Sequence, residues 1–558
     1  MAPTQPCAKY QYVLTSAGPK ILPVPDAPPK DEESPADYNA GGYLQINLHD
    51  SFKDGRYLVV RKLGWGHFST VWLVKDTHTS RHSALKVVKS AGRYAETARD
   101  EIKLLSQVRD ESPGHPGREH VVAFLDSFQH VGPEGVHVCI VCEPLGENLL
   151  ALIERHKKAG VPPALVKLIA RQILLGLEYL HDECDLVHTD IKPENIMISI
   201  PDVEAHIQAE LSISPSPRSR KVGVPPKNLT RSGMAIPRLA TGRDRHVQIF
   251  DSQPLASPSP ASSAASSPMV RPGLQMSRMV SAQSVHSLLD KKGSGKQGSG
   301  SSRSELSDSG SSASAGTPPL GPSLLTQTAP HNVAHRSASP HGSGSRSPRA
   351  SHTRQSSQST HRALSPPPPP PPPTPSPVAP PMTIKIADLG NATPTHKHYT
   401  EDIQTRQYRS PEVMLGRTDW GPTADVWSAA CVIFELLAAE YLFDPQSQGG
   451  VFGKDDDHMA QVIELLGDFD GEVKFGGRFS RDIFDSSGAL RYIRSLKPWP
   501  LKRVMVEKYA WAEEDAAALC EFLEPMLVVD HRKRKHARDM KDHPWLAVDM
   551  DSEELWKW

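Results

Sequence analysis

The sequence predicts an α+β protein of two lobes, one with five strands and a helix and the other mainly helical. Short β-branched runs bounded by turn residues fill the region from Arg56 to Cys142, which is typical of strands. After Leu145 the apolar residues recur at three- and four-residue steps, which is typical of helices. A stretch of about 180 residues rich in Ser, Pro, Gly and Arg then divides the helical lobe.

Each element of the small lobe has its own segment. Five strands are predicted at "RYLVVRKLG", "VWLVKD", "SALKVVKS", "VVAFLDSF" and "VHVCIVCEP". Between the third and fourth lies "YAETARDEIKLLSQV", whose apolar residues fall at helical spacing. We therefore expect one helix packed on a five-stranded sheet.

Three long helical segments follow, "PPALVKLIARQILLGLEYLHDEC", "TADVWSAACVIFELLAAEYLF" and "DDHMAQVIELLG". "NIMISI" and "IKIADLG" are predicted to be partner strands, although the long stretch separates them. The entropy of loop closure grows only logarithmically with length, so an insert at a surface turn leaves such a pair intact. The predicted organisation is a disordered Pro-rich leader (1–45), the small lobe (46–145), the first part of the helical lobe (146–200), a disordered Ser/Pro/Arg-rich spacer (201–382), the second part (383–549) and a C-terminal tail (550–558).

Composition narrows the class of protein. With 52 prolines and 38% hydrophobic residues, part of the chain is expected to stay unpacked. No run of about 18 apolar residues and no secretory signal pattern is found, so we expect a soluble intracellular protein. The six cysteines lack disulfide-type spacing and are expected to be reduced. The net charge is −1, but the spacer is basic, so any acidic docking surface should lie outside it.

The segment "LGWGHFSTVWLVK" has the pattern of a phosphate-binding turn. Gly64 and Gly66 lie between the first two strands, where backbone amides can close over phosphates, and Val71 would cover an adenine. Lys86 on the third strand would pair with phosphate oxygens and with Glu101 of the following helix.

The loop "LVHTDIKPEN" has the spacing of a phosphoryl-transfer site. Asp190 would accept the substrate hydroxyl proton, Lys192 would neutralise the transferred group, and Asn195 would hold Mg²⁺. Asp388 in "ADLG" would hold the Mg²⁺ that bridges the phosphates of ATP. In this order, and together with "SPE" at 410–412, these motifs predict a bilobal protein-kinase fold.

Three further residues are predicted to support the loops. Glu412 is expected to pair with Arg534, fixing the substrate-binding loop against the helical lobe. Asp425 is expected to cap the helix that it begins and also to hold the catalytic-loop backbone.

Thr189 stands where kinases switched by loop phosphorylation have an Arg that binds the added phosphate. The catalytic residues beside it are intact, so we expect an activation loop (389–410) that is held without phosphate. The expected holders are Arg406, Gln407 and Arg409.

Several strings resemble the SR-protein kinase family, the kinases of arginine/serine-rich splicing factors. They include "LGWGHFSTVW", "VHTDIKPENI", "IADLGNA" and "KDDDHMAQVIELLG", and the likeness covers about residues 40–200 and 383–550. It implies ATP- and Mg²⁺-dependent phosphorylation of serines in Arg-Ser repeats, without prior activation, and a role in mRNA splicing. It also implies further ATP contacts, namely Leu63, Trp65, Ala84, Cys142, Glu143, Leu145 and Met197.

The resemblance implies an acidic docking groove at Glu440, Asp457, Glu464 and Lys508. Asp457 and Glu464 are two helical turns apart and therefore share a face. Three positions depart from the family's usual residues: Glu440 replaces Asp, Cys142 replaces Phe behind the adenine, and "NATPTHK" replaces a Cys-Trp pair. Cys142 is expected to admit bulkier inhibitors.

The expected partners are Arg-Ser splicing factors, with chaperone or scaffold contacts through the spacer, and no membrane or specific nucleic acid. The protein is expected to be a monomer in cytoplasm and nucleus. "SPSPRSR" and "SGSRSPRAS" in the spacer are substrate-like and are either phosphorylated in cis, competitors for the groove, or a basic tether. A proline-directed kinase, a catalytically inactive scaffold for Arg-Ser proteins, and weak RNA binding remain alternatives.

Overall fold

The computed structural model describes residues 10–15, 18–23, 32–213, 217–225, 245–257, 382–550 and 555. Within these residues no helix is both long and apolar enough to cross a membrane. Five of the six cysteines lie in these residues, and all five are free thiols.

The small lobe is an antiparallel sheet with one helix against it. Its strands follow the order β3-β4-β5-β6-β8-β7. The five predicted strands are all present, and a short sixth strand extends the sheet. The strands are β3 (Ser51–Phe52), β4 (Tyr57–Trp65), β5 (Ser69–Asp76), β6 (His82–Val88), β7 (Phe124–Gly132) and β8 (Gly135–Cys142). Helix α1 (Gly92–Asp110) buries Ala98, Leu105 and Val108, the face that the apolar spacing predicts.

The large lobe is helical. Its central helix is α6 (Thr423–Ala438), in which every residue from Thr423 to Leu437 is buried, so the helix lies within the core. The other helices are α2 (Leu149–Arg155), α3 (Pro163–Glu178), α5 (Pro411–Met414), α7 (Lys454–Leu466), α8 (Gly471–Lys474), α9 (Ser480–Ile483), α10 (Leu501–Glu507), α11 (Glu513–Leu523) and α12 (Ala537–Met540).

Two short strand pairs frame the catalytic segment. Strands β10 (Ile196–Ile198) and β13 (Ile384–Ile386) pair antiparallel, as predicted for strands on either side of the insert. Strands β9 (Leu186–Val187) and β14 (Thr393–Pro394) pair in the same sense. The loop between β9 and β10 is therefore held at both ends.

The boundaries predicted for the disordered segments are wrong in two places. In the spacer, residues Val203–Ile213 form helix α4, and β11 (Ser219–Gly223) pairs with β12 (His246–Phe250). In the leader, β1 (Tyr10–Thr15) pairs with β2 (Gly18–Pro23).

Apolar contacts join the leader to the spacer hairpin. Tyr38 and Tyr43 of the leader are buried against Val247 and Ile249 of β12. These apolar residues are few and far apart in sequence, and they meet only when the chain folds. The average composition of the two segments therefore did not predict their packing. Residues 226–244 and 258–381, which are predicted to be disordered, lie outside the described residues. Of the predicted tail, only Met550 and the buried Leu555 are described.

Candidate active site

The catalytic loop brings its three predicted residues together. Nζ of Lys192 lies 2.6 Å from Oδ2 of Asp190. The side-chain amide nitrogen of Asn195 donates to the backbone carbonyl of Asp190 at 2.9 Å. The hydroxyl of Thr405 in the activation loop donates to Oδ1 of Asp190 at 2.7 Å. A hydroxyl group therefore lies at the carboxylate that is predicted to accept a hydroxyl proton.

Asp425 of α6 holds the backbone of this catalytic loop in place. Its wholly buried carboxylate accepts the backbone amides of His188 and Thr189 at 2.7 and 2.9 Å and contacts Nε2 of His181 at 2.9 Å. The predicted contact with the loop backbone is present. The predicted capping of the helix is wrong, because Pro422 occupies the N-cap position and the carboxylate is engaged by the loop instead.

Lys86 and two carboxylates form a buried charge cluster in the cleft. Nζ of Lys86 lies 2.7 Å from Glu101 and 3.6 Å from Asp388, so the predicted pair with α1 is present. Burial works to lower the pKa of Lys86, but Glu101 and Asp388 outweigh it and raise the pKa. Burial raises the pKa of Glu101. Burial also works to raise the pKa of Asp388, but Lys86 and other nearby cations outweigh it and lower this pKa. The Lys86 ammonium is thus kept charged, as a phosphate ligand must be.

The residues that would hold Mg²⁺ present oxygen atoms. The Asn195 amide nitrogen is engaged by Asp190, which leaves its side-chain oxygen for a metal. Asp388 has a left-handed backbone with φ of 64° and keeps its carboxylate ionised beside Lys86. Mg²⁺ prefers oxygen ligands and commonly takes only one or two from protein, with the rest from substrate phosphates and water. The two side chains fit this ion.

One face of the sheet forms the roof of the nucleotide cleft. Val71 is directly opposite Lys86 across the β5–β6 pair, and Ala84 is directly opposite Cys142 across the β6–β8 pair. Directly opposed residues, and residues two apart on a strand, share a face. Val71, Ala84 and Cys142 therefore lie on the same face of the sheet as Lys86.

The phosphate-binding turn is the tip of the β4–β5 pair. Gly64 pairs with Val71 after a register shift, and the Trp65 position pairs with Thr70. The carbonyl of Gly66 accepts a hydrogen bond from the Tyr43 hydroxyl at 2.6 Å, so the leader contacts this turn. A Cβ at Gly64 would meet no heavy atom within 4 Å, so the space beside it is open for a ligand.

The connection between the lobes offers backbone groups to an adenine. The Glu143 amide donates to the Ala123 carbonyl at 3.1 Å, so the Glu143 carbonyl and the Leu145 amide are the backbone groups here that are predicted to bond an adenine. The Glu143 carboxylate pairs with Lys385 at 2.9 Å. Leu63 is half-buried in the cluster around Leu73, and Met197 on β10 pairs with Lys385, opposite the roof.

Gln404 is the central residue of the activation loop, and the sequence analysis did not identify it. It is buried and has φ of 68°; its amide donates to the Thr189 carbonyl at 2.9 Å. Its side chain donates to the Ala424 carbonyl at 2.8 Å and to the Ser428 hydroxyl at 2.9 Å, and accepts from the Ser410 amide at 2.9 Å.

The three predicted holders of the loop differ in their contacts. Arg409 donates to the Gln404 carbonyl at 2.9 Å and pairs with Asp402, and Arg406 pairs with Asp455. Gln407 makes no side-chain hydrogen bond within the described part of the chain. The loop is thus held by Gln404, Arg409 and Arg406.

Thr189 joins the catalytic loop to the end of the metal-binding turn. Its hydroxyl donates to the Asn391 carbonyl at 2.8 Å, and the side chain is 2% exposed with φ of 68°. The residue that replaces the usual Arg is therefore a buried connector.

The predicted pair of Glu412 and Arg534 is present and fully buried. Two parallel contacts of 2.8 Å join the groups, and Arg534 also donates to the Thr423 carbonyl at 2.9 Å. Burial opposes ionisation of Glu412, but Arg534 outweighs it and lowers the pKa. The bidentate geometry fixes α5 against the segment that follows α11.

The four predicted docking residues do not share one exposed face. Glu440 is exposed and lies 2.7 Å from Lys508. Asp457 and Glu464 are 0% and 1% exposed, so the face that these two acids share is turned into the lobe. The Asp457 carboxylate accepts the Gln446 amide at 2.9 Å, and that of Glu464 accepts the Lys497 amide at 2.9 Å.

A second group of acids, not predicted from the sequence, lines an open cavity beside α7. Asp455, Asp456 and Asp482 contribute to it, and its volume is about 560 Å³. Arg481 and Arg491 also line it, so the acids are partly balanced. The run of three Asp at the start of α7 could have indicated this acidic group from the sequence. Acids are also favoured in the first turn of a helix for the stability of the helix itself.

The fold, the catalytic loop and the charged cleft define a protein kinase. Residues 57–208 and 378–546 match the family described as protein kinase domain, which confirms the predicted split fold. Protein kinase dsk1 of Schizosaccharomyces pombe is 41% identical over 522 residues, 92% of this chain and 85% of that protein. For SRSF protein kinase 3 of Homo sapiens the identity is 41% over 93% of this chain and 90% of that protein.

Serine/threonine-protein kinase SKY1 of Saccharomyces cerevisiae is 36% identical over 94% of this chain and 79% of that protein. These relatives are similar along nearly the whole chain, including both parts of the divided domain. The chain therefore belongs to the SRSF protein kinase family of serine/threonine kinases, and the predicted family is confirmed.

Proposed function

We propose that the chain is a non-specific serine/threonine protein kinase that uses ATP and Mg²⁺ to phosphorylate serines in Arg-Ser repeats of splicing factors. Asp190 accepts the serine proton, Lys192 neutralises the transferred phosphoryl group, and Lys86 with Glu101 positions the ATP phosphates. Mg²⁺ held by Asn195 and Asp388 would neutralise charge on the phosphates.

The name of one relative supports the substrate class, since SRSF protein kinase 3 is named for SRSF proteins. Exposed acids at Glu440, Asp455 and Asp482 also favour a cationic substrate, because opposite charges steer association. The role of the buried Asp457 and Glu464 in docking is part of the proposal.

The observation that carries activity without prior phosphorylation is the Gln404 network. It joins the activation loop to the Thr189 carbonyl and to the Ser410 amide through neutral groups, and Arg409 and Arg406 add ion pairs with acids of the chain itself. Kinases that need a phosphate use it to order this loop. Here the ordering contacts are already made.

The test uses chain made in bacteria and treated with phosphatase, mixed with ATP, Mg²⁺ and an Arg-Ser repeat peptide. We expect rapid serine phosphorylation, and none with Asp190→Ala. Preference for a Ser-Pro peptide that lacks arginine would instead support a proline-directed kinase. Peptide binding without transfer by the wild type would support an inactive scaffold. Loss of activity after phosphatase treatment would contradict activity without loop phosphorylation.

We also propose that the protein occurs in cytoplasm and nucleus, with the spacer governing its distribution. Imaging of the full chain and of a chain without residues 258–381 tests this proposal. The same distribution for both would contradict the role of the spacer.

A further inference from the structure

A short part of the insert lies against the connection between the two lobes. This insert segment is Gln253–Ser257, and the Gln253 amide donates to the Lys62 carbonyl on β4 at 2.9 Å. Leu255 is 1% exposed and packs with Leu73 of β5 and with Ile200, which follows β10. The insert segment therefore contacts both the small lobe and the last residue of the first part of the helical lobe.

Helix α4 holds the insert segment from the other side. Glu210 accepts the Ala256 amide at 2.6 Å, and Nε2 of His206 contacts the Ala256 carbonyl at 2.8 Å. Glu210 also pairs with Arg61 of β4. The residue that follows Ala256 is thus brought to a defined place.

That residue, Ser257, lies against the connection just beyond the adenine-facing backbone. Its Oγ accepts the Glu147 amide at 3.3 Å. A Cβ at Gly146 would lie 2.9 Å from this Oγ and 3.1 Å from the Ile198 carbonyl oxygen, so the approach is close. Gly146 is three residues after Glu143, whose backbone is predicted to bond an adenine.

A phosphoryl group on Ser257 does not fit this contact. Ser257 Oγ packs closely against Gly146, near the Ile198 carbonyl oxygen, so three more oxygens have little room there. The residue whose amide Oγ accepts, Glu147, also has a carboxylate, which pairs with Arg155. Added negative charge beside a carboxylate is repulsive and costly to desolvate. The end of the insert segment would leave the connection.

We propose that Ser257 is a regulatory phosphorylation site whose modification releases the insert segment and weakens nucleotide binding. The modifying enzyme is a proline-directed serine kinase, because residue 258 is Pro. In the step, Ser257 Oγ bonds to the γ-phosphorus of ATP, the bond to the β-phosphate oxygen breaks, and ADP leaves. The hydroxyl proton passes to the base of the modifying kinase. This goes beyond the proposed function, which concerns the chain's own substrates.

The test uses full-length chain carrying Asp190→Asn, so that only the added kinase transfers phosphate. A cyclin-dependent kinase with ATP and Mg²⁺ is the probe, mass spectrometry locates the phosphate, and calorimetry then measures Mg-ATP affinity. We expect phosphate on Ser257 and a dissociation constant raised about three- to tenfold, as for loss of one hydrogen bond and its local packing. Chain carrying Ser257→Ala as well should show no such change on treatment.

Two variants are compared in the same binding assay. Ser257→Glu should raise the dissociation constant for Mg-ATP, whereas Ser259→Glu, with the same charge two residues further on, should not. Absence of phosphate on Ser257, or phosphate there with unchanged ATP affinity, would overturn the proposal. Because ATP binding is measured directly, failure of the proposed substrate class would not alter this result.

Discussion

At Thr189, a residue that looks like a defect in the sequence proves to be a structural connector. Its carbonyl accepts the Gln404 amide, its amide donates to Asp425, and its hydroxyl donates to Asn391. Three segments therefore meet at one buried residue, two through its backbone and one through its uncharged side chain. A phosphate-binding Arg at this position would have to give up the Asn391 contact.

Cys142 gives a prediction at the scale of one residue. It shares the roof of the cleft with Ala84, and its side chain is smaller than the Phe that the family usually has at this position. Cys142→Phe is expected to weaken bulky ATP-competitive inhibitors about tenfold or more, because overpacking a filled pocket costs about 1–3 kcal/mol. The inhibition constant measures this, and the KM for ATP, expected within about twofold, is the control. Equal potency in both proteins would refute it.

Glu435 predicts a pH dependence of stability. It accepts the Tyr408 hydroxyl at 2.6 Å, and burial, opposed by that bond and aided by Glu194, raises its pKa to about 8. Between these two pH values the folded chain therefore keeps a proton on Glu435 that the unfolded chain, in which the pKa is about 4.5, has already released. The resulting stability is full below the unfolded value and is lost as pH rises through about 8.

Glu435→Gln removes this titration while keeping an acceptor for Tyr408. Between pH 6 and 8 the wild type should lose about 2 kcal/mol more unfolding free energy than the variant. Urea denaturation at several pH values measures the difference. Parallel pH profiles for the two proteins would rule out this assignment.

At the scale of elements, the buried side chain of Gln404 is expected to be essential for the order of the activation loop. Gln404→Ala removes contacts to Ala424 and Ser428 and leaves the buried Ser410 amide unpaired. Each unpaired buried group costs about 1–3 kcal/mol, so kcat for an Arg-Ser peptide should fall about tenfold or more. Gln407→Ala is the matched control, since it lies three residues away in the same loop, and should keep kcat within about twofold. Equal rates for both variants would show that Gln404 does not order the loop.

Elements with a strong local pattern were predictable from the sequence. The five strands, α1 and the catalytic loop follow from periodicity and motif spacing, which act over a few residues. The role of Gln404 was not predictable, because its partners Ala424 and Ser428 are some 20 residues away in sequence. The inward face of α7 was not predictable either, since spacing places Asp457 and Glu464 on one face but does not say which face is buried.

At the scale of the whole molecule, the beginning of the insert is part of the kinase fold. Arg61 pairs with Glu210 of α4, and the fully buried Lys62 ammonium pairs with Glu33 and donates to the Phe250 carbonyl at 3.0 Å. Apolar contacts of Leu255 and Ile207 add to these. Leader and insert thus cover the same strand, β4, of the small lobe.

Two deletions should separate the insert into a structural and a dispensable part. Replacing residues 258–381 by a flexible linker of about 20 residues should change Tm by less than about 3 °C, because it removes none of these contacts. Replacing 203–381 in the same way should lower stability by about 3 kcal/mol or more, since buried cations lose partners. Calorimetry measures both, and equal Tm values for the two deletions would contradict the division.

The pairing of β10 with β13 has a consequence for synthesis on the ribosome. About 180 residues separate Ile198 from Ile384, so at about 5–20 residues per second the first strand waits roughly 10–40 s for its partner. During that time the strand edge and the apolar face of α3, buried later, are exposed on the nascent chain. A chaperone that binds the emerging polypeptide would meet this half-made lobe on every round of translation.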